Sequence, residues 1–311
     1  MARTQVFDRV ALVLSGLCAI CLWGCSQSSG NGALTERGSS PVSGNRWEAK
    51  LVKVVQGFDG PDSVLVDPSA DFVYVSSVGA PWEEYWGYKG KGFISRLKAD
   101  GEIEFLRWKQ DDDVGSAPKG MCVLNGNLYV ADIMQVRQFP SGKRLLVVTG
   151  ETAHLNDVAT DGRSIYISDS ARGMIYRVQA SKEFPAPIFA SSAPQGINGI
   201  TFFKGGMFGV SWDLHEVYDL DPSGQRPPRA FGLAEHFTTL DGIEVLDDGT
   251  FIVSDFRGNR VCTISSDRRT VRTLVQLESP GDVGLDRKRG LLFVPEFMKG
   301  RVSVFKLQCK E

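Results

Sequence analysis

The sequence predicts an all-β protein, a six-bladed β-propeller whose N-terminal strand closes the last blade. Six copies of one pattern carry this prediction, and they begin at Pro61, Pro118, His154, Ile197, Leu240 and Pro280. Each copy has an anchor residue, a short apolar run, a turn and a second apolar run, as in "HLNDVATDGRSIYISD". Helical periodicity is nearly absent, so strands are expected throughout.

The spacing of the anchors supports blades rather than unrelated hairpins. The anchor residues are Asp62, Lys119, Asn156, Asn198, Asp241 and Gly281, and successive anchors lie 57, 37, 42, 43 and 40 residues apart. A period near 40 residues with several short strands is typical of propellers. The long first interval holds an insertion, "APWEEYWGYKGKG", at residues 80–92. The sixth copy lacks a fourth strand, which "KLVKVVQGF" from Lys50 would supply, leaving no free sheet edge.

Composition excludes some classes of function. The chain has 311 residues, 23% of them charged, with a formal net charge of −2, which gives no electrostatic footprint for nucleic acid. Beyond the first 25 residues, the cysteines are Cys122, Cys262 and Cys309, far apart and odd in number. They predict neither a disulfide framework nor a CxxC metal site.

The N-terminus has the features of a targeting signal. Arg3 and Arg9 precede an apolar stretch that is shorter than a membrane-spanning helix. "LWGC", ending at Cys25, resembles a bacterial lipoprotein signal, which implies a signal peptide at residues 1–24 and a lipid on Cys25. Ser26, the next residue, resembles the one that follows the lipidated Cys in Gram-negative lipoproteins destined for the outer membrane. Residues 25–46, rich in Ser and Gly, are expected to be a flexible tether, and residues 47–311 the propeller.

The anchor residues suggest a cation site. The innermost strand of each propeller blade lines the central channel, so the six anchors are expected to surround one mouth of it. Four of them are oxygen donors, here called the oxygen set: Asp62, Asn156, Asn198 and Asp241. Calcium takes 6–8 oxygen ligands, so four would leave room for water and substrate, and the absence of thiolates argues against zinc or copper. The alternative is that Asn and Asp stand here only as turn formers.

From Trp47 to Leu307 the repeat resembles the gluconolactonase, regucalcin and luciferin-regenerating-enzyme family of six-bladed propellers. The resemblance implies a divalent ion, commonly calcium, held by an acid from blade one, Asn from blades three and four, and Asp from blade five. The oxygen set matches that order. There are two departures. Asp62 stands where Glu is frequent, and His154 stands where a sugar-gripping Arg is common, which disfavours sugar lactones.

The resemblance also implies lactone hydrolysis, with the ion as a Lewis acid on the ester carbonyl. Asp241 is the usual base of the family. His154 is a second candidate, because an unperturbed imidazole titrates near pH 6.5. The alternative for His154 is a hydrogen-bonded residue at the rim of the mouth.

The insertion is expected beside the same mouth, because the second strand of a blade returns to it. Trp82, Tyr85, Trp86 and Tyr88 would form an aromatic lid or substrate wall, or else pack on a neighbouring blade. Lys119 would attract an anionic substrate or pair with Asp62. The acids that end the second strands are expected to bind backbone between blades: Asp132, Asp169, Asp255 and Glu296.

Two classes of function follow. The first is a divalent-metal-dependent hydrolase of a small-molecule lactone or related ester, reaching the membrane only through its lipid anchor and facing the periplasm from the outer membrane. The second is a non-catalytic propeller, similar to NHL-type repeats, that binds a ligand or protein at the channel mouth. The metal-ligand pattern favours the enzyme.

Overall fold

A computed structural model describes residues 46–67, 69–86, 91–110, 117–148, 153–179 and 189–310. The predicted signal peptide, the lipidation of Cys25 and the tether up to residue 45 lie outside these residues, as does Tyr88. Within the described residues, no helix has both the length and the apolar character needed to cross a membrane.

The described residues contain 24 strands in six four-stranded sheets and three short 3-10 helices. Strand β1 (Arg46–Gln56) belongs to blade six. Blade one contains β2 (Pro61–Val66), β3 (Phe72–Ser77), β4 (Phe93–Lys98) and β5 (Ile103–Gln110). Blade two contains β6 (Pro118–Leu124), β7 (Asn127–Asp132), β8 (Gln135–Phe139) and β9 (Lys143–Val147). Blade three contains β10 (Leu155–Thr160), β11 (Ser164–Asp169), β12 (Met174–Gln179) and β13 (Phe189–Ser192).

Blade four contains β14 (Ile197–Phe203), β15 (Gly206–Ser211), β16 (Val217–Leu220) and β17 (Arg229–Ala230). Blade five contains β18 (Leu240–Val245), β19 (Phe251–Asp255), β20 (Arg260–Ile264) and β21 (Val271–Gln276). Blade six contains β22 (Gly284–Asp286), β23 (Leu291–Glu296) and β24 (Arg301–Lys310), followed by β1 on the outside. The 3-10 helices are Trp82–Glu84, Ala234–His236 and Phe297–Lys299. This architecture is the predicted six-bladed β-propeller.

The N-terminal strand closes the last blade, as predicted. Strand β1 pairs antiparallel with β24 along its length, from Arg46 opposite Lys310 to Gln56 opposite Arg301. Near the axis, blades one and six are also joined directly, because the N–H of Asp282 donates to the carbonyl of Asp62 at 2.8 Å. Ser63 Oγ adds a bond to Asp282 Oδ2 at 2.7 Å. The ring is therefore closed by the outermost and innermost strands together.

The hydrophobic core lies between successive blades. One cluster joins Tyr129 and Val136 of blade two with Leu155 and Ile165 of blade three. Strand β11, "SIYISD", is buried at all six positions, because neighbouring blades cover both faces of its sheet. Polar side chains can therefore collect around the channel without interrupting the core.

The inner strands of blades one to five share an irregularity. In blade three, Leu155 lies opposite Asp169 and Val158 opposite Ile167, so three steps on β10 match two on β11. The same β-bulge occurs between Pro61 and Val64, Pro118 and Met121, Ile197 and Ile200, and Leu240 and Ile243. A bulge adds a residue and re-aims its side chain. The first five anchors are each the residue that follows the first position of this bulge.

Candidate functional site

The bulges bring the oxygen set together at one mouth of the channel. All four residues line a single cavity of about 230 Å³. Asp62, Asn156, Asn198 and Asp241 are only 5%, 5%, 4% and 6% exposed. Residues separated by up to four blades in sequence thus share one site, as the repeat predicted.

The carboxylates of this site are strongly desolvated. Burial is the main cause that raises the pKa of Asp62, and the charge of Lys119 and a hydrogen bond from Tyr85 oppose it. Burial and then the charge of Asp62 raise the pKa of Asp241 well above its usual value, against Lys119 and a hydrogen bond with the Asn198 side chain. Positive charge at the site would therefore stabilise both carboxylates.

Lys119, the blade-two anchor, supplies one such charge from a fully buried position. Its side chain is 0% exposed, and among the described residues its Nζ has no hydrogen-bond partner. Nζ lies 3.1 Å from the ring centre of Tyr85 and 4.4 Å from that of Trp86. Burial lowers its pKa to about 8, while Asp62, Asp241 and Asp132 act in the opposite direction.

The position of Lys119 bears on its predicted contact with substrate. Lys119 is not among the described residues that line the 230 Å³ cavity. Tyr85 and Trp86 cover it instead, so a substrate would reach the amine only if these side chains moved. Its predicted pairing with Asp62 corresponds here to a charge interaction.

The first part of the insertion, residues 80–86, is here called the aromatic loop. Trp82 stacks on Phe256 with ring centres 5.2 Å apart and meets Phe297 edge-on at 5.6 Å. Trp82, Tyr85 and Trp86 also line the cavity. The loop therefore combines both sequence-based interpretations, since it packs on blades five and six and forms a wall of the mouth.

A hydrogen bond and a ring-stacking contact hold the aromatic loop against the site. The Tyr85 hydroxyl donates to Asp62 Oδ1. The Trp86 ring stacks on the His154 imidazole at 4.1 Å with an interplanar angle of 8°. His154 is partly buried, and burial is the main cause that lowers its pKa, helped by Lys119 and opposed by Asp169. Burial therefore favours the neutral imidazole, the form that can accept a proton.

Sequence reasoning missed part of the rim. Trp212, Asp213 and Arg257 also line the cavity, and the Arg257 guanidinium lies 5.7 Å from the Trp212 ring centre. These residues directly follow the second strands of blades four and five. The insertion of blade one also follows the second strand of its blade. Bulky or charged residues after the second strands of blades four and five were therefore the signal that could have predicted these rim residues.

Three of the four acids that end second strands bind backbone, as predicted. Each accepts a hydrogen bond from the backbone N–H of a residue just before the first strand of its blade. Asp132 accepts from the N–H of Ala117 at 2.8 Å, and Asp169 from that of His154 at 3.0 Å. Asp255 accepts from the N–H of Thr239 at 2.9 Å.

Glu296 is the exception among these acids. It binds Arg301 at 2.8 Å and Ser303 at 2.6 Å. The backbone N–H that would correspond in blade six, that of Ser279, donates to Asn259 Oδ1 at 3.0 Å instead. The prediction of backbone binding was therefore wrong for Glu296.

A larger cavity, of about 680 Å³, opens on the part of the channel lined by the rest of the inner strands. Asp157, Glu244 and Asp282 line it, and burial raises the pKa of all three, that of Asp157 to about 7. Each already has a partner. Asp157 accepts the N–H of Ile200 at 2.7 Å, Asp282 accepts Ser63 Oγ, and Glu244 lies 3.1 Å from Arg287. These acids tie blades together.

The chemistry of the oxygen set fits a hard cation. Among the described residues, no three Asp, Glu, His or Cys side chains are grouped so as to hold a metal ion. The oxygen set contains two carboxylates and two amides, and such oxygens are ligands that calcium accepts. The buried charge of Lys119 reduces the net negative charge that this set offers.

Comparisons with known proteins agree with the fold. No protein-family model matches the sequence, and no curated protein does. Virginiamycin B lyase from Staphylococcus aureus is similar in structure, at 12% identity over 84% of this chain and 99% of the other, with a TM-score of 0.61. A putative gluconolactonase is similar at 15% identity over 85% and 93%, with a TM-score of 0.60. A luciferin-regenerating enzyme is similar at 14% identity over 82% and 95%, with a TM-score of 0.61.

At these identities the likeness shows the fold alone. Two of the three proteins are of the kind that the sequence resemblance named, so that resemblance is confirmed as a shared six-bladed propeller. Enzymes with hydrolase and lyase names occur on this architecture, but a fold does not define a reaction.

Proposed function

We propose that this protein is a hydrolase of a lactone or related ester, with its active site at the aromatic-walled mouth. The observation that carries the proposal is the convergence of Asp62, Asn156, Asn198 and Asp241 in one cavity that the His154 imidazole also lines. A concave site with apolar walls and a few polar groups is a common form of a small-molecule site.

We further propose that the oxygen set holds a divalent ion, of which calcium fits best. Support comes from the hard oxygen donors and from the two desolvated carboxylates, which a cation would stabilise. When bound, such an ion polarises a substrate carbonyl and stabilises the negative charge that develops on its oxygen.

The remaining steps belong to side chains of the chain itself. His154 accepts a proton from the attacking water at a ring nitrogen, since burial favours the neutral form of its imidazole. Its stacking on Trp86 fixes the plane of the ring. Asp241 is the second candidate for the base. Trp82, Trp86 and Trp212 form walls that exclude water and offer apolar surface to the substrate.

A panel of lactones and esters, assayed with added divalent ions and with chelator, tests the proposal. For the best substrate, Asp241→Asn and His154→Gln are each expected to lower kcat/KM by about 100-fold or more, with an unchanged circular dichroism spectrum. Asp247→Asn, in the exposed hairpin turn of blade five, is the matched control and is expected to leave turnover unchanged. Turnover retained by the Asp241 and His154 variants would contradict the proposed roles.

A non-catalytic propeller that binds a ligand at the same mouth is the second candidate. Lys119 favours it, because its charge already balances part of the negative charge that a catalytic ion would need. Saturable binding of a panel compound without turnover, weakened by Trp86→Ala, would support this candidate over the hydrolase.

We also propose that the chain is anchored in the cell envelope through a lipid on Cys25, with the propeller facing the periplasm. The support is the "LWGC" sequence alone. Cys25→Ser is expected to release the protein from detergent-soluble membranes into the soluble fraction, and a variant that still partitions with membranes would contradict the anchor.

A further inference from the structure

Lys119 occupies the same structural position in blade two that the oxygen set occupies in blades one, three, four and five. We propose that Lys119 is a built-in counter-cation of this site, whose charge allows the carboxylates to be buried without a divalent ion and weakens the binding of such an ion. The inference rests on the proposed cation site and deepens it.

The bulge of β6 places Lys119 at the same point of its strand as the other four anchors. Pro118 lies opposite Asp132 and Met121 opposite Val130, which is the irregularity found at the other four anchors. The Lys119 side chain is therefore directed as theirs are, toward the mouth, and it is 0% exposed. A lysine in an inter-blade core would not share this placement.

Charge interactions offset part of the cost of burying Lys119 Nζ. Among the described residues it has no hydrogen-bond partner, and an isolated ammonium is costly to bury. Acidic charges that act on it are those of Asp62, Asp241 and Asp132. The Tyr85 and Trp86 ring faces add cation–π attraction from the other side.

Tyr85 connects the two sides of this charge pair. Its ring centre lies 3.1 Å from Lys119 Nζ, while its hydroxyl donates to Asp62 Oδ1. One aromatic side chain of the insertion therefore contacts both the cation and one carboxylate. Lys119, Tyr85 and Asp62 all belong to this chain, so the protein itself supplies a positive charge to the site.

The consequence for a divalent ion is a change of net charge. Without Lys119, the anchors would present two carboxylates to an ion, and with Lys119 they present a net single negative charge. A bound ion also meets direct repulsion from a buried ammonium, which solvent screens weakly. Lys119 is thus expected to determine how tightly the ion binds, without being a ligand.

Calcium titration by isothermal calorimetry tests this directly. Lys119→Met removes the charge and keeps an apolar stem, and it is expected to bind calcium at least about 100-fold more tightly than the unchanged protein. Lys204→Met, an exposed lysine on β14–β15, is the control and is expected to bind as the unchanged protein does. Equal or weaker binding by Lys119→Met would overturn the inference.

A second measurement, made in chelator, needs no ion at all. With Lys119 present, Asp62→Asn removes a charge partner of Lys119 and is expected to lower Tm by about 3 °C. In the Lys119→Met background the same change relieves repulsion between Asp62 and Asp241 and is expected to raise Tm. The Asn side chain keeps an oxygen that can accept the hydrogen bond from the Tyr85 hydroxyl, so loss of that bond does not contribute to the change in Tm.

Each outcome of the second measurement is decisive. A reversal of sign supports the inference, and the same sign in both backgrounds overturns it. If Lys119→Met does not fold, a rise in Tm for Asp62→Asn alone would overturn it and a fall would support it. None of these measurements uses turnover, so failure to find a hydrolysed substrate and failure of this inference are separate results.

Discussion

The Tyr85 hydroxyl donates a hydrogen bond to Asp62 Oδ1, and through this bond the insertion of blade one reaches a residue placed by the repeat. Asp62 is held by a β-bulge, whereas Tyr85 comes from a loop with no counterpart in the other copies. The site is therefore composite. Its polar residues come from the repeat, and part of its apolar wall comes from an addition to the repeat.

Replacing Tyr85 by Phe tests how much this bond contributes. The change removes the donor and keeps the ring over Lys119, so the free energy of unfolding is expected to fall by about 1–3 kcal/mol. Urea unfolding measures it. Tyr129→Phe is the control, because the Tyr129 hydroxyl makes no hydrogen bond within the described residues. An equal fall in the free energy of unfolding of both variants would show that the hydrogen bond to Asp62 does not stabilise the fold.

Gly120 is predicted to be intolerant of any side chain. A Cβ there would lie 2.0 Å from Asp157 Oδ1 and 2.5 Å from the Asp157 Cα, so the blades would have to separate. Gly120→Ala is expected to lower the free energy of unfolding by about 3 kcal/mol. Gly126→Ala, in the hairpin turn of the same blade, meets open space and carries only backbone strain, about 1 kcal/mol. A smaller loss at Gly120 than at Gly126 would contradict this prediction.

Closure of blade six by β1 is testable with two substitutions on one strand. Val55 is 6% exposed and packs between β24 and blade one, whereas Val52 is 53% exposed. Val55→Asp buries a charge and is expected to destabilise the fold by about 4 kcal/mol, while Val52→Asp is expected to change little. Thermal unfolding of both variants gives the comparison. Similar losses would mean that β1 is not held as described.

Trp86 is predicted to bind substrate and orient His154. For a substrate identified in the panel, Trp86→Ala is expected to raise KM about tenfold and to lower kcat as His154 loses its stacking partner. Trp86→Phe should restore most of the loss. Trp47→Ala, on the outer strand of blade six, is the control for general effects of removing a tryptophan. An unaffected KM in Trp86→Ala would remove Trp86 from the substrate wall.

The cysteines of the propeller are predicted to differ sharply in reactivity. Burial raises the pKa of the Cys262 thiol to about 11 and that of Cys122 well above its usual range, whereas Cys309 is exposed. Alkylation needs the thiolate, and at pH 8 only about one Cys262 in a thousand would be ionised. Peptide mapping after iodoacetamide treatment is expected to show Cys309 modified first, with the other two modified only on unfolding. Rapid modification of Cys262 in the folded protein would contradict its burial.

The local patterns of the chain were sufficient to predict the blades. Two apolar runs around a turn, repeated near every 40 residues, define an inner hairpin, and such signals are carried by neighbouring residues. The role of β1 was also predictable, since a free sheet edge is unfavourable and one blade lacked a strand. The rim residues Trp212 and Arg257 were missed, because their signal is a shared place in the repeat and not a shared residue type.

The sequence by itself determined the six-bladed fold, its closure and the convergence of Asp62, Asn156, Asn198 and Asp241, because the repeat places them at equivalent points on equivalent strands. Only the tertiary structure decided that Lys119 is buried beneath Tyr85 and Trp86, and that Asp157 fits against Gly120. The physical reason is distance along the chain. Whether a side chain faces solvent, a carboxylate or an aromatic ring depends on how closely separate blades and an inserted loop pack, and no local pattern specifies that separation.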